Sequence, residues 1–368
     1  MKLFAGIKTC VTVILVVAAC GLSSYARENK PSTPGGIVVV ASTVPANGDV
    51  NPYGIARVPH STGALIAGNI LVSNFNSVAN LQGTGTTIVQ IAPDGTSSLF
   101  AQIDATTLPG PCPGGVGLTT ALSVLRSGWV IVGSVPTTDG TSATVQAGCL
   151  LVLNSSGSVV ETFYGSLING PWDMAALDGG SSASLFVTNV LNGTVAGGGS
   201  VVLGGTVTRL NLTGLYGSMP TLESITVIGS GFAEETNAAA LVIGPTGVGL
   251  SPDGSTLYVA DSINNRIAAI SDPVVRTTSA GTGTTVTKGG ALNDPLGLTV
   301  LTDGSILTVN WNNGFLLGFT RGGVQLEQAL LDSNGTPPGA GALFGLVDVA
   351  GQGLYYVDDA TNTLNLWQ

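Results

Sequence analysis

Charged residues are scarce in this chain of 368 residues, which has 11 Lys and Arg, 21 Asp and Glu, and one histidine. The net charge of −10 repels a phosphate backbone, so we expect no nucleic-acid partner. The acidic residues are scattered along the sequence, a distribution that favours solubility over cation storage. His60 is the single histidine of the chain, so acid–base catalysis by an imidazole would have to use this one residue.

Helical periodicity is also missing. No long segment repeats its apolar residues every 3.6 positions, so few helices are expected. The chain has instead 54 glycines, many in turns that separate short runs of valine, isoleucine and leucine. This alternation is typical of all-β proteins, and the length allows a large core in one domain.

Sustained apolar sequence is confined to Val11–Ala19, which is too short to span a bilayer and is typical of the centre of an export signal. Two processing routes remain open. Ser24-Tyr25-Ala26 has small residues at the positions that signal peptidase reads, which gives a signal peptide over residues 1–26. Val17-Ala18-Ala19-Cys20 resembles a bacterial lipobox, which gives a lipoprotein signal over residues 1–19 and a lipid on Cys20.

Either route exports the protein to a periplasmic, outer-membrane-anchored or extracellular location. Residues 27–36 are predicted to be a tether, and residues 37–368 a soluble monomeric domain that touches a membrane only through the Cys20 lipid. Removing residues 1–26 takes away two lysines and leaves 9 basic and 21 acidic groups, a charge of −12.

Beyond the signal region, the chain has two cysteines, Cys112 and Cys149. An even pair in an oxidising compartment favours a disulfide, which would close a loop of 37 residues and add roughly 3–4 kcal/mol in the loop-entropy model. Two buried free thiols are the alternative. A metal site is disfavoured because no histidine or third cysteine lies nearby in the sequence.

A short unit recurs six times, and its second strand is an apolar run that stops at a small polar residue. The six runs are Ile70–Ser73 before Asn74, Val130–Gly133 before Ser134, Leu185–Thr188 before Asn189, Leu257–Ala260 before Asp261, Ile306–Val309 before Asn310, and Leu354–Val357 before Asp358. A first strand that starts at proline or glycine precedes each run, and a third strand follows. Repeated small sheets of this kind predict an all-β, six-bladed β-propeller.

The last unit ends with only three strands, while the early strand Ile37–Val40 has no unit of its own. We expect that strand to complete the last blade and close the ring, which removes exposed sheet edges. Glycine in the first strands suits the crowded axis of a propeller. The glycine-rich segment Asn192–Gly205 is predicted to be either a loop insertion or a flexible lid.

The stretch from Tyr258 to Ile267, which ends Asp-Ser-Ile-Asn-Asn-Arg-Ile, resembles the NHL repeat. The other five units match it in rhythm over residues 37–368. Six-bladed NHL-like propellers are also similar to the senescence-marker/gluconolactonase and streptogramin lyase families. The resemblance implies a ring around a central channel, and it implies no single activity because the fold serves binding and catalysis alike.

Two departures separate this chain from those enzymes. The lactonase family has metal-binding Asn and Asp in Asn-Gly and Pro-Asp-Gly contexts, where this chain reads Thr246-Gly247 and Pro295-Leu296-Gly297. The streptogramin lyases use a catalytic histidine, and here His60 lies in the loop after a first strand. The catalytic residues of both families are therefore unmatched.

Antiparallel pairing places the start of each first strand beside the end of each second strand. The resulting rim should gather carboxylate and amide oxygens around the channel mouth, where they could hold a polar ligand or a hard cation such as Ca²⁺. Asn and Asp also cap turns, so a purely structural role is the alternative. The candidate ligand-binding rim is Asn51, Asn74, Asp173, Asn189, Asp261, Asp294, Asn310 and Asp358, with Ser134 in the same register.

Trp172 and Trp311 lie beside this rim, with Tyr53 in a similar place, and their rings would either stack on a flat ligand or pack between blades. No nucleophile elbow and no phosphate-cradling loop is present. The favoured function is an exported binding or scaffold protein whose ligand on the top face is a protein, a glycan or a small polar molecule. The alternatives are a metal-dependent propeller hydrolase or lyase that uses the rim, and a purely structural surface protein.

Overall fold

Six antiparallel sheets make up the residues that the computed structural model describes, which are 36–217 and 219–368. The innermost strand of each sheet contacts the innermost strand of the next, and the last contacts the first, so the sheets close into a ring. This confirms the predicted six-bladed β-propeller. The export signal, Cys20 and the tether up to Gly35 lie outside the described residues.

The first three blades follow one another along the chain. Blade 1 consists of β2 (Val50–Arg57), β3 (Ile70–Asn76), β4 (Thr87–Ile91) and β5 (Ser97–Gln102), with a 3₁₀ turn at Ala105–Thr107. Blade 2 consists of β6 (Leu118–Val124), β7 (Val130–Ser134), β8 (Leu150–Leu153) and β9 (Val159–Phe163). Blade 3 has a fifth strand and consists of β10 (Pro171–Asp178), β11 (Ala183–Asn189), β12 (Val202–Thr213), β13 (Thr221–Asn237) and β14 (Leu241–Ile243), with the short helix α1 at Thr194–Gly197.

The other three blades have four strands each. Blade 4 consists of β15 (Pro245–Leu250), β16 (Thr256–Asp261), β17 (Arg266–Ser271) and β18 (Thr284–Lys288). Blade 5 consists of β19 (Pro295–Val300), β20 (Ile306–Asn310), β21 (Phe315–Phe319) and β22 (Gln325–Leu330). Blade 6 consists of β23 (Leu343–Val349), β24 (Gly353–Asp358), β25 (Thr363–Trp367) and, from the other end of the domain, β1 (Ile37–Ser42).

Strand β1 closes the ring as the sequence predicted. It pairs antiparallel with β25, from Ile37 opposite Trp367 to Ser42 opposite Thr363. The backbone N–H of Thr43 then donates to the carbonyl of Asn362 at 3.0 Å. The N-terminal strand thus supplies the outer strand of the last blade, which has four strands as a result.

The core lies between neighbouring blades, and the second strands carry much of it. Each of the six contains a fully buried valine, and burying one such side chain contributes about 1.5–3 kcal/mol. These valines are Val72, Val132, Val187, Val259, Val309 and Val357. The apolar runs that identified the repeat are therefore the strands that hold adjacent sheets together.

Glycine marks the places where first strands approach the next blade most closely. A Cβ at Gly297 would collide with the backbone oxygen of Phe344, and a Cβ at Gly345 would lie 2.5 Å from the backbone oxygen of Tyr53. Only a residue without a side chain fits such a contact. The expectation that glycine serves the crowded axis is confirmed.

The glycine-rich segment Asn192–Gly205 connects β11 to β12, so its first part is the predicted loop insertion, with α1 inside it. Its last residues enter β12, where Val202 pairs with Glu234 and Gly205 pairs with Phe232 of β13. The composition did not indicate this strand. A further element is the β13–β14 hairpin that follows.

Cys112 and Cys149 form the predicted disulfide. Cys149 is fully buried, and both residues belong to the apolar cluster between blades 1 and 2. Within the described part of the chain, no helix has the length and apolar character needed to cross a membrane.

Candidate functional site

The first strands line a central channel that widens into a cavity of about 360 Å³. The cavity lies in the half of the channel where the first strands end, and its lining includes Arg57, Thr120, Ser123 and Thr299. Asp173 also faces it and accepts a hydrogen bond from the backbone N–H of Val248 at 3.0 Å. Burial raises the pKa of Asp173 to about 7, against the opposing effect of backbone hydrogen bonds from Met174 and Val248.

The opposite mouth of the channel is filled by the side chains of Tyr53, Phe75, Trp172 and Phe344, which we call the aromatic plug. We define the top face as the end of the ring where first strands begin and second strands end. There Tyr53 stacks between Phe75, at a ring-centroid distance of 4.3 Å, and Phe344, at 3.8 Å. Trp172 meets Tyr53 edge-on at 5.7 Å and is buried. For Trp172 and Tyr53 the packing role is therefore the one that the structure shows.

The register of the first and second strands is the predicted one. Each second strand ends opposite the start of its first strand, so the rim residues at the ends of second strands share the top face, whereas Asp173 faces the channel cavity. The pairs are Pro52 with Asn74, Leu118 with Ser134, Pro171 with Asn189, Pro245 with Asp261, Pro295 with Asn310 and Leu343 with Asp358. What the register does not decide is where the side chains point.

The side chains at the ends of the second strands turn into their own blades. Asn74 Nδ2 donates to Thr87 Oγ1 of the third strand at 3.2 Å and to the backbone oxygen of Thr43 at 3.0 Å. Asn189 Nδ2 likewise donates to Thr208 Oγ1 at 3.2 Å. These residues lie on one face but do not converge on the channel mouth, and their role in ligand binding stays a prediction.

The other three Asn and Asp residues at the ends of second strands are also held by contacts with protein groups. Asp261 forms a buried ion pair with Arg266, with 2.7 Å between Oδ2 and Nη2. Asn310 Nδ2 donates to the backbone oxygen of Ala291 at 2.9 Å, and Asp358 Oδ1 accepts from the backbone N–H of Thr361 at 3.1 Å. Asp358 therefore caps the turn that follows it, whereas Asp261 is held by an ion pair and Asn310 by the loop before its blade.

Asn51 and Asp294 begin the first strands of blades 1 and 5, both with a left-handed backbone, φ +61° and +58°. Asn and Asp tolerate this conformation better than other residues with a side chain. Burial raises the pKa of Asp294 to about 6, and the charge of Glu235 adds to the effect. Asp294 lies beside Trp311 and Trp172 under strand β14.

A second cavity, which we call the top-face cavity, opens beside the aromatic plug and has a volume of about 200 Å³. Two of the predicted residues, Asn51 and Trp311, line it together with Tyr53 and Phe344 of the plug. Residues that the sequence did not single out complete its wall. These are Asn76, Asn80, Gln82, Ala239, Gly341 and Asp359.

The amide groups of this cavity are unequally satisfied. Asn76 Nδ2 donates to Asn80 Oδ1 at 2.7 Å, and Gln82 Nε2 donates to the backbone oxygen of Ala239 at 3.3 Å. The side-chain oxygens of Asn51 and Asn76 are buried and have no hydrogen-bond partner. The two residues are only 5% and 3% exposed, so bulk water does not satisfy these oxygens. Unpaired buried acceptors are costly, so a donor supplied at this site would be favourable.

Asp359 gives the cavity its charge. Burial raises the pKa of its carboxyl to about 7, and the neighbouring charge of Asp358 adds to the effect. The same carboxylate affects Tyr53, whose pKa burial raises well above its usual range; Asp359 raises it further, and a hydrogen bond with the Asn51 side chain opposes the shift. Asn51, Tyr53 and Asp359 thus form one electrostatically coupled group.

The residues at the channel mouth do not fit Ca²⁺. A hard cation needs six to eight oxygen ligands, but the mouth is filled by Tyr53, Trp172, Leu296 and Phe344. Across residues 36–217 and 219–368, no three His, Cys, Asp or Glu side chains are close enough together to hold a metal ion.

Sequence reasoning missed most of the top-face cavity because its residues come from four different blades. Asn76 lies two residues beyond the predicted rim residue Asn74, and Asp359 directly follows Asp358. Those adjacent polar residues were the available signal. His60 lies exposed in the loop between β2 and β3, at the opposite end of the ring from this cavity.

Comparison with known proteins relates this architecture to a family of propellers. Residues 217–337 match the sequence model of the SMP-30/Gluconolactonase/LRE-like region. No curated protein matches the chain at a significant level. The matched region covers β13 to β22, which includes blades 4 and 5 and their NHL-like segment.

Solved structures share the fold at low identity. A gluconolactonase from Xanthomonas campestris is 13% identical with a TM-score of 0.51, and the match covers 90% of this chain and 88% of that one. A catalytically inactive virginiamycin B lyase from Staphylococcus aureus with quinupristin is 15% identical with a TM-score of 0.51, and the match covers 89% of this chain and 84% of that one. The calcium-binding protein regucalcin from Agrobacterium tumefaciens is 13% identical with a TM-score of 0.51, and the match covers 89% of this chain and 93% of that one.

At such identity the structural likeness shows the fold and leaves the activity open. The chain is thus an NHL-like six-bladed β-propeller with a distant similarity to the SMP-30/gluconolactonase propellers and to virginiamycin B lyase.

Proposed function

We propose that this protein is an exported binding protein that holds a small polar ligand in the top-face cavity. The observation that carries the proposal is the pair of unpaired, buried side-chain oxygens of Asn51 and Asn76 in a cavity that also contains the carboxylate of Asp359. Concave sites with a few convergent polar groups and aromatic walls are where small ligands bind. The volume of about 200 Å³ suits a molecule of the size of a single sugar ring or a small amino compound.

Export is supported by the disulfide between Cys112 and Cys149, because such bonds persist in oxidising compartments. The apolar segment Val11–Ala19 and the two alternative processing signals are consistent with it. We propose that the mature domain acts as a monomer, free or anchored through Cys20, and that it binds no nucleic acid. A glycan or an exposed loop of a protein would reach the cavity through its terminal polar groups.

The test is native mass spectrometry of the protein purified from the compartment to which it is exported. Wild type should retain a small molecule, and Ala239→Phe, which adds a ring at the wall of the cavity, should lose it. Ala105→Phe, at an exposed 3₁₀ turn outside the cavity, is the matched control and should retain it. Retention of the same molecule by both variants would contradict the proposal.

A further inference from the structure

The top-face cavity contains hydrogen-bond acceptors that no protein group satisfies. Asn51 Oδ1 and Asn76 Oδ1 have no donor, and the Asp359 carboxylate faces the same space. Two of the amide nitrogens there, Asn76 Nδ2 and Gln82 Nε2, already donate to protein oxygens. A ligand that fits this arrangement has to bring N–H or O–H donors of its own.

The charge of the cavity has one sign. Among the described residues, those that line it include no lysine, arginine or histidine, whereas Asp359 is a carboxylate whose neighbour Asp358 is a second acid. A positive ligand would relieve the repulsion between these two acids, and a negative one would add to it.

The remaining wall is aromatic. Trp311 and Phe344 border the cavity, and Tyr53 lies between Phe75 and Phe344 with its ring faces covered. Trp311 is only partly buried, so its indole stays accessible from the cavity. An indole and a carboxylate that line the same cavity are a favourable surrounding for a cation, since the ring face and the carboxylate attract the same charge.

From these three observations, which rest on the proposed function, we infer that the ligand of the top-face cavity carries a protonated or quaternary amine held between Trp311 and Asp359. The amine or its neighbouring groups donate towards Asn51 and Asn76. A neutral sugar would satisfy the acceptors but would leave the carboxylate without a counter-charge.

Choline and 3,3-dimethylbutan-1-ol test this directly, because they have the same shape and differ by the positive charge. Isothermal titration with each probe, and with methyl glucoside as a neutral sugar, gives the relative affinities. We expect choline to bind at least about tenfold more tightly than its uncharged counterpart. Equal binding of the two, or tighter binding of the sugar, would overturn the inference.

Two variants test whether the preference for choline depends on Trp311 and Asp359. Trp311→Leu and Asp359→Asn should each weaken choline by about fivefold or more and leave the uncharged probe unchanged. Tyr216→Leu removes an exposed aromatic ring far from the cavity and should change neither, and melting temperatures confirm that each variant is folded. Choline binding that survives both substitutions would overturn the inference.

The outcomes also separate the two proposals. If methyl glucoside binds, loses its binding in Ala239→Phe and outcompetes choline, the cavity is a binding site but its ligand is not a cation. If no probe's binding responds to Ala239→Phe, both the site and the amine are contradicted.

Discussion

Asn362 joins the last blade to the first: its Oδ1 accepts a hydrogen bond from the backbone N–H of Asn51 at 2.7 Å. Asn265 makes the same contact between blades 4 and 5, where its Oδ1 accepts from the backbone N–H of Asp294 at 2.6 Å. Both asparagines lie in turns after second strands and have a left-handed backbone. The asparagine before Arg-Ile in the NHL-like motif therefore serves as a clamp between neighbouring blades.

Substituting Asn362 should loosen the closure of the ring. Asn362→Gly keeps the left-handed conformation accessible and removes only the amide, so its cost reports the lost hydrogen bond, about 1–2 kcal/mol in the free energy of unfolding. Chemical denaturation measures this value. Asn312→Gly, in the turn after β20, removes a half-buried amide whose Nδ2 makes only a long hydrogen bond of 3.4 Å to Asn293 Oδ1. It should cost less than half as much; equal losses would contradict the clamp.

Arg266 and Asp261 form a buried pair at the end of β16. Arg266 Nε and Nη2 both lie within 2.8 Å of Asp261 Oδ2, and the carboxylate is fully buried. Arg266→Leu leaves that charge without its counter-ion, and we expect a loss of about 3–5 kcal/mol in unfolding free energy. Arg126→Leu removes an exposed arginine and should cost under about 1 kcal/mol. A loss of similar size in both variants would show that the pair is unimportant.

Gly297 tests the crowding of the first strands at the axis. A methyl group there would meet the backbone oxygen of Phe344, which cannot move without shifting β23. Gly297→Ala should therefore lower the melting temperature by several degrees or prevent folding. Gly322→Ala is the control, since its nearest neighbour is Thr320 Oγ1 at 3.8 Å. A harmless Gly297→Ala would contradict the close approach of blades 5 and 6.

Asp173 should make stability depend on pH. Its pKa is raised to about 7 by burial, so the folded state favours the protonated carboxyl. Stability is full below the unfolded pKa near 4 and is lost as pH rises through about 7. Asp173→Asn should match wild type at pH 4 and exceed it at pH 8 by about 1–3 kcal/mol, less than a closed site would give because the channel is open to solvent.

Denaturation curves at several pH values measure this difference. Ser123→Ala changes another residue of the same channel cavity without removing a titratable group, so its difference from wild type should stay constant with pH. A constant difference for Asp173→Asn as well would contradict the raised pKa.

The fold could be predicted in detail because its signals are local and repeated. Six apolar runs end in polar residues, and a spare N-terminal strand matches a blade that lacks one. Composition did not indicate that the glycine-rich segment ends in a strand, because its partners Phe232 and Glu234 come from a strand later in the chain.

The site was predicted only in part. Strand register correctly placed Asn74 and Asp261 on the top face, but side-chain direction depends on partners such as Thr87 and Arg266. The top-face cavity combines loops of different blades, and no local pattern in the sequence brings Gln82 and Asp359 together.

The most direct test of the account is a high-resolution experimental structure of the protein purified with its natural ligand. We predict ligand density in the top-face cavity, with a nitrogen between the Trp311 ring and the Asp359 carboxylate. A ligand bound instead in the central channel beside Asp173, with the top-face cavity holding only solvent, would contradict the account.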